Sequence, residues 1–119
     1  MEGRMFKMSV LLDNDKIVKE GKYPIKDIYY TIEKIHKDNG FLRDYDLEDG
    51  SMVFYGTNGW ADGDGMMRAQ YFLQRQDWFM RYVSKWTGYE NEQCAYDDEF
   101  IEVDVLAMLR RIERTVRAV

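Results

Sequence analysis

Ile25, Ile28, Ile32 and Ile35 recur at spacings of three, four and three residues. That period places all four on one side of a helix, and the stripe must then be buried against another layer. Pro24 suits the first turn of such a helix, and Asn39-Gly40 suits its end, because glycine takes the left-handed conformation cheaply. The other layer starts upstream. Phe6, Met8, Val10 and Leu12 alternate with Lys7, Ser9 and Leu11, which is the two-residue period of a strand. Asp13 to Gly21 leaves room for one short helical turn between them.

Further along, Phe41, Tyr45 and Leu47 fall on one face of a second strand. Asp49-Gly50 separates it from Ser51-Met52-Val53-Phe54-Tyr55, and Asp-Gly between apolar runs signals a hairpin. Gly56 to Gly65 reads as a turn or loop. Met67, Ala69, Tyr71 and Leu73 alternate as a further strand would. Phe79, Tyr82, Val83 and Trp86 return to helical spacing, with Gly88 as the stop. Residues 90–100 are polar and acidic and read as a loop. Val105, Leu106, Leu109, Ile112 and Val116 mark a final helix with Arg110, Arg111, Arg114 and Arg117 toward its C-terminal end, where cations oppose the macrodipole favourably. The expected architecture is one α+β domain over residues 1–119, in the order β-α-β-β-β-α-α. Its antiparallel sheet has three to four strands, with helices packed on one face. Glu2-Gly3-Arg4 matches the tail of a common protease cleavage site, which leaves two readings of residues 1–4 open, a cloning remnant with Met5 as the natural start or a disordered native end.

The chain has 119 residues, 45% apolar and 15% aromatic, enough to offset chain entropy in one core. Its net charge of −5 argues against a dedicated binder of nucleic-acid backbone. Cys94 is alone, which excludes an intrachain disulfide and a thiolate metal cluster and fits a reduced, cytoplasmic setting. Val10-Leu11-Leu12, stopped by Asp13, is too short for a secretory or membrane segment.

Several chemistries fail on spacing. His36, the single histidine, lies near the end of the isoleucine helix between Lys34 and Lys37, and is expected to stabilise that C-terminus. No Gly-x-Ser-x-Gly elbow accompanies it. Gly59 to Gly65 has no lysine for a phosphate loop, and Asp62 and Asp64 would repel a phosphate. An EF-hand beginning at Asp62 would place Met66 and Leu73 at ligand positions. No metal, nucleotide or other cofactor is therefore expected. The paired carboxylates sit in turns and loops and are expected to be solvated. Gly50 to Thr57 lacks the basic residue and the glycine positions of an RNA-stacking strand.

Charge is segmented. Residues 38–64 carry seven acids and one base, Arg43; residues 90–104 carry seven acids and no base; residues 105–119 have a net charge of +3. Acidic connections can steer a basic partner. The expected contact residues are Asp44, Asp46, Glu48, Asp49, Asp62, Asp64, Asp97, Asp98, Glu99, Glu102 and Asp104, with Trp60 as the aromatic anchor. Two readings stand. One is an acidic module binding a basic protein surface, such as the nucleic-acid groove of a nuclease, with no direct nucleic-acid or membrane contact. The other is a small enzyme or ligand sensor using the aromatic-rich sheet and the Gly56–Gly65 loop.

Asp77-Trp78-Phe79-Met80 with Val83 and Trp86, followed by Asp98, Phe100 and Val103 to Leu106, resembles small acidic proteins of Firmicutes and their mobile elements. Phage and plasmid elements carry many small acidic inhibitors, including anti-CRISPR proteins that occupy basic nucleic-acid sites. The resemblance implies an inhibitor of that kind. With 17 cations the chain departs from a whole-surface DNA mimic, so the implied contact is a local acidic patch.

Overall fold

A computed structural model describes residues 5–91 and 100–117. The chain runs β1 (Phe6–Leu12), α1 (Asn14–Glu20), α2 (Ile25–Asp38), β2 (Phe41–Arg43) and β3 (Met52–Gly56). A 3-10 turn (Gly59–Ala61), α3 (Asp62–Gln74), α4 (Phe79–Tyr82), β4 (Val83–Glu90), β5 (Ile101–Asp104) and α5 (Val105–Arg117) complete it. The α+β architecture with an antiparallel sheet is as the sequence implies, but among the described residues the sheet has five strands, not three or four, in the order β2-β3-β1-β4-β5. The chain's first strand is thus its centre.

Register fixes the two faces. Met8 lies opposite Phe54 on one side and Gly88 on the other, and Val10 opposite Met52 and Trp86. These inward residues meet the helices: His36 of α2 stacks on Phe54, Phe79 of α4 packs edge-on to Trp86, and Met66 of α3 and Val105 of α5 lie over Gly88. Ile28 and Ile32 are fully buried, with Ile25 and Ile35 packed at the margin of the same core. On the opposite face Lys7 lies 4.2 Å over the Phe100 ring, and the Ser9 and Tyr89 hydroxyls are hydrogen-bonded at 3.3 Å.

Several assignments are corrected. Met66 to Leu73 is not a strand: it lies within α3, which buries Met66, Ala69 and Leu73 at spacings of three and four. The expected loop therefore ends at Ala61, and Asp62 to Gly65 form the first turn of α3. The Phe79–Trp86 stripe is not one helix either. Only Phe79–Tyr82 is helical; Val83 turns extended (φ −74°, ψ 126°) and the chain continues as β4, through Gly88 rather than stopping there. Its side chains alternate, Trp86 inward and Lys85, Thr87 and Tyr89 outward. β5 fills Ile101–Asp104, between the loop expected over residues 90–100 and the final helix, where no strand is expected from the sequence. The second strand is shorter than expected, ending at Arg43, and Asp49-Gly50 lies within a longer β2–β3 connection. That connection reaches across the outer face of the sheet, where Gly50 approaches Leu11 and the Asp49 carboxylate lies 3.7 Å from Lys85 Nζ.

The sequence reading of His36 also changes. It is fully buried, and burial pushes its pKa down to about 4. A neutral imidazole in the core does not act on the helix macrodipole as a cation.

An apolar cleft lined by two acids between α3 and α5

The helical layer is incomplete. Between α3 and α5 lies a cleft of about 500 Å³. Its floor is Phe6 of β1, Gly88 and Glu90 of β4 and Val103 of β5; one wall is Met66, Met67 and Gln70 of α3, the other Val105 and Met108 of α5. Trp60, Gly63 and Asp64 close one end. The floor is low because Gly88 has no side chain: a Cβ there would meet Met66 Cε at 2.7 Å. The two charged side chains among these lining residues are both acidic, Asp64 and Glu90. Neither is ion-paired with a described residue.

Trp60 and Met67 are 67% and 70% exposed at the cleft mouth. Solitary exposed apolar residues are unremarkable, but large ones clustered beside a concave surface mark an interaction site. Tyr71 and Phe72 extend the exposed apolar surface along α3. On α5, Val105 and Leu106 are buried, whereas every described side chain from Arg110 to Val116 is exposed, including Ile112 and Val116.

The acids expected to form one surface are dispersed. Asp44, Asp46, Glu48 and Asp49 lie on the β2–β3 connection, and Glu102 and Asp104 on β5. β2 and β5 are opposite sheet edges, about 19 Å apart at the usual strand spacing. Several of these acids also have local partners. Asp46 accepts two hydrogen bonds from the Arg43 guanidinium, the Asp49 carboxylate accepts the Ser51 N–H at 2.8 Å, and Asp104 caps α5 through the Ala107 N–H at 3.0 Å. Asp97, Asp98 and Glu99 lie outside the described residues, as does Cys94.

Asp62, expected on a solvated turn, is 2% exposed. Its Oδ2 accepts the Asn58 N–H at 2.8 Å, and its carboxylate fills the space where a Cβ on Gly56 would stand. Burial raises its pKa, against the lowering effect of the Asn58 N–H. Asp62 therefore braces the turn that presents Trp60 and does not face a partner. Among the described residues, only Trp60 and Asp64 of the sequence-derived set line the cleft. Sequence reasoning misses Met66, Met67, Gln70, Glu90, Val103 and Met108; the adjacent pair Met66-Met67 soon after Trp60 is the available signal.

Among the described residues no group of three or more His, Cys, Asp or Glu side chains is arranged to hold a metal ion, and no helix is long and apolar enough to cross a membrane. Comparison with known proteins finds no matching protein-family model and no matching curated protein.

Proposed function

We propose that this protein is a binding module that takes a basic, apolar segment of another protein into the α3–α5 cleft, of the kind a nuclease or other nucleic-acid-binding protein presents. The observation that carries this reading is the cleft's composition: apolar walls, exposed Trp60 and Met67 at the mouth, and acidic charge alone among its charged lining side chains. Aromatic and methionine side chains supply contact area, and lining carboxylates that no described residue ion-pairs supply orientation and on-rate. The acidic patch suggested by the charge segments is thereby narrowed to Asp64 and Glu90. The acids of the β2–β3 connection contribute at longer range, and inhibition by occupying a nucleic-acid site is the corresponding biological role.

The ligand-sensor alternative draws on the same cleft, whose volume suits a small molecule. The Gly56–Gly65 segment does not supply a separate loop for it, since its second half belongs to α3.

The test is capture from a host lysate at low and high salt with wild type, Trp60→Ala and Asp64→Lys/Glu90→Lys. A nucleic-acid-binding protein retained by wild type, lost in both variants and displaced by added duplex DNA supports the proposal. Capture that is indifferent to all three treatments overturns it.

A further inference from the structure

α5 is itself a ligand of the type the cleft is built to take. Val105, Leu109, Ile112 and Val116 follow at spacings of four, three and four, forming one apolar seam. The seam is buried at Val105, but Ile112 and Val116 are 52% and 68% exposed. Arg110, Arg111 and Arg114 flank the exposed end, with Arg117 following in sequence and Glu113 as the one acid. Helix and cleft are thus complementary in both properties: a basic amphipathic helix, and an apolar concavity whose charged lining side chains are Asp64 and Glu90. They cannot satisfy each other within one molecule. The N-terminal half of α5 already forms a wall of the cleft through Val105 and Met108, and every described side chain of its distal half is exposed.

We infer that the protein forms a two-fold dimer in which the distal half of each α5 lays Ile112 and Val116 into the cleft of the other copy. The arrangement rests on the cleft identified above as the binding site. A two-fold axis makes the exchange reciprocal, so both apolar ends and both clefts are covered at once. The arginines of one copy approach Asp64 and Glu90 of its partner. Simple pairing of α5 with α5 would instead face two arginine-rich surfaces against each other, which like-charge repulsion disfavours. In the dimer the cleft is closed to outside ligands, so a basic partner must displace the second copy.

Sedimentation equilibrium over a concentration series tests this. Wild type is expected to dimerise, and Ile112→Glu/Val116→Glu (helix broken, cleft intact) and Met67→Glu (cleft broken, helix intact) are each expected to raise the dimer dissociation constant at least about 30-fold, as loss of a central contact does. All three substituted side chains are exposed, and circular dichroism verifies that the variants fold. The decisive sample is an equimolar mixture of the two variants: the intact cleft of one accepts the intact helix of the other, and association recovers in part. No recovery in the mixture, wild type monomeric throughout, or a dimer that survives either variant overturns the inference. Its failure is separable from that of the binding proposal. Ile112→Glu/Val116→Glu keeps the cleft, so it captures a basic partner at least as well as wild type if that proposal holds, whatever the oligomeric state of wild type.

Discussion

The imidazole of His36 lies flat on the phenyl ring of Phe54, centroids 3.7 Å apart and planes within 5°. Nδ1 donates to the Ile32 carbonyl oxygen at 2.7 Å, and Nε2 has no partner among the described residues. Protonation would place a charge in the core, and nearby Arg43 disfavours it further.

This geometry gives a signed pH dependence. The folded-state pKa of about 4 lies below the ordinary value of 6.5. The unfolded chain therefore binds more protons between those values, and stability falls as pH falls through that window. Between pH 7.5 and pH 5 the loss is about 2 kcal/mol from this residue. Urea unfolding across that range checks it. His36→Leu should lose this part of the decline, and an equal decline in wild type and His36→Leu would contradict the assignment.

The same residue shows what sequence can and cannot reveal. The period of the isoleucine stripe locates α2, but His36 is four residues beyond Ile32 and belongs to the buried side of the helix. Its polar character, with lysines beside it, conceals that. α3 was obscured in a similar way. Met67, Ala69, Tyr71 and Leu73 fit a strand, Met66, Ala69 and Leu73 fit a helix, and two glycines in the first turn lower helical propensity. Tertiary packing settles the choice, since Gly65 must pass the Asn39 carbonyl closely. Phe79, Tyr82, Val83 and Trp86 all reach the core as their spacing suggests, but from two elements, because Val83 leaves the helical region. β1, α1, α2, β3 and α5 were legible because each buries one strongly periodic face or carries clear end signals. The cleft was not, because its α3 wall and its β4–β5 floor come from the segments with ambiguous periods.

Gly56 and Asp62 should be coupled. A methyl group at position 56 overlaps the Asp62 carboxylate, which is held by the Asn58 N–H. Gly56→Ala is expected to destabilise by about 1–3 kcal/mol, the usual range for overpacking a close-fitted site. On an Asp62→Ala background the same change should cost clearly less, because the two nearest colliding atoms, Oδ2 and Cγ of Asp62, are gone and only its Cβ remains close. A four-protein denaturation cycle reads the difference, and strictly additive effects would contradict the contact.

Two isoleucines separate core from interface. Ile32→Ala should cost about 2–5 kcal/mol, the range for emptying a core site, because Ile32 is 0% exposed. Ile112→Ala should change the unfolding free energy of the dilute monomer by less than about 0.5 kcal/mol, as exposed substitutions do. An unchanged denaturation midpoint for Ile32→Ala would contradict the placement of α2 on the sheet.

Glu20 ties α1 to α4. Its carboxylate accepts from Arg81 Nε at 2.7 Å and Nη2 at 2.8 Å, and from the Tyr82 hydroxyl at 2.7 Å. The Arg81 hydrogen bonds, followed by that from Tyr82, lower the Glu20 pKa from 4.5 to about 2. Because the folded value lies below the unfolded one, this contribution is present above pH 4.5 and is lost as pH falls toward 2. Carboxyl-detected NMR titration should find a midpoint near 2 in wild type. Arg81→Met should move it upward, leaving a smaller depression from the Tyr82 hydroxyl, and Arg81→Met/Tyr82→Phe should bring it close to the ordinary value of 4.5. A wild-type midpoint already near that value would mean the clamp does not persist in solution. Arg81→Met should in addition loosen α1 against α4, seen as faster amide exchange in Asn14–Glu20, while exchange in the central strand Phe6–Leu12 stays slow because its partners in β3 and β4 are untouched.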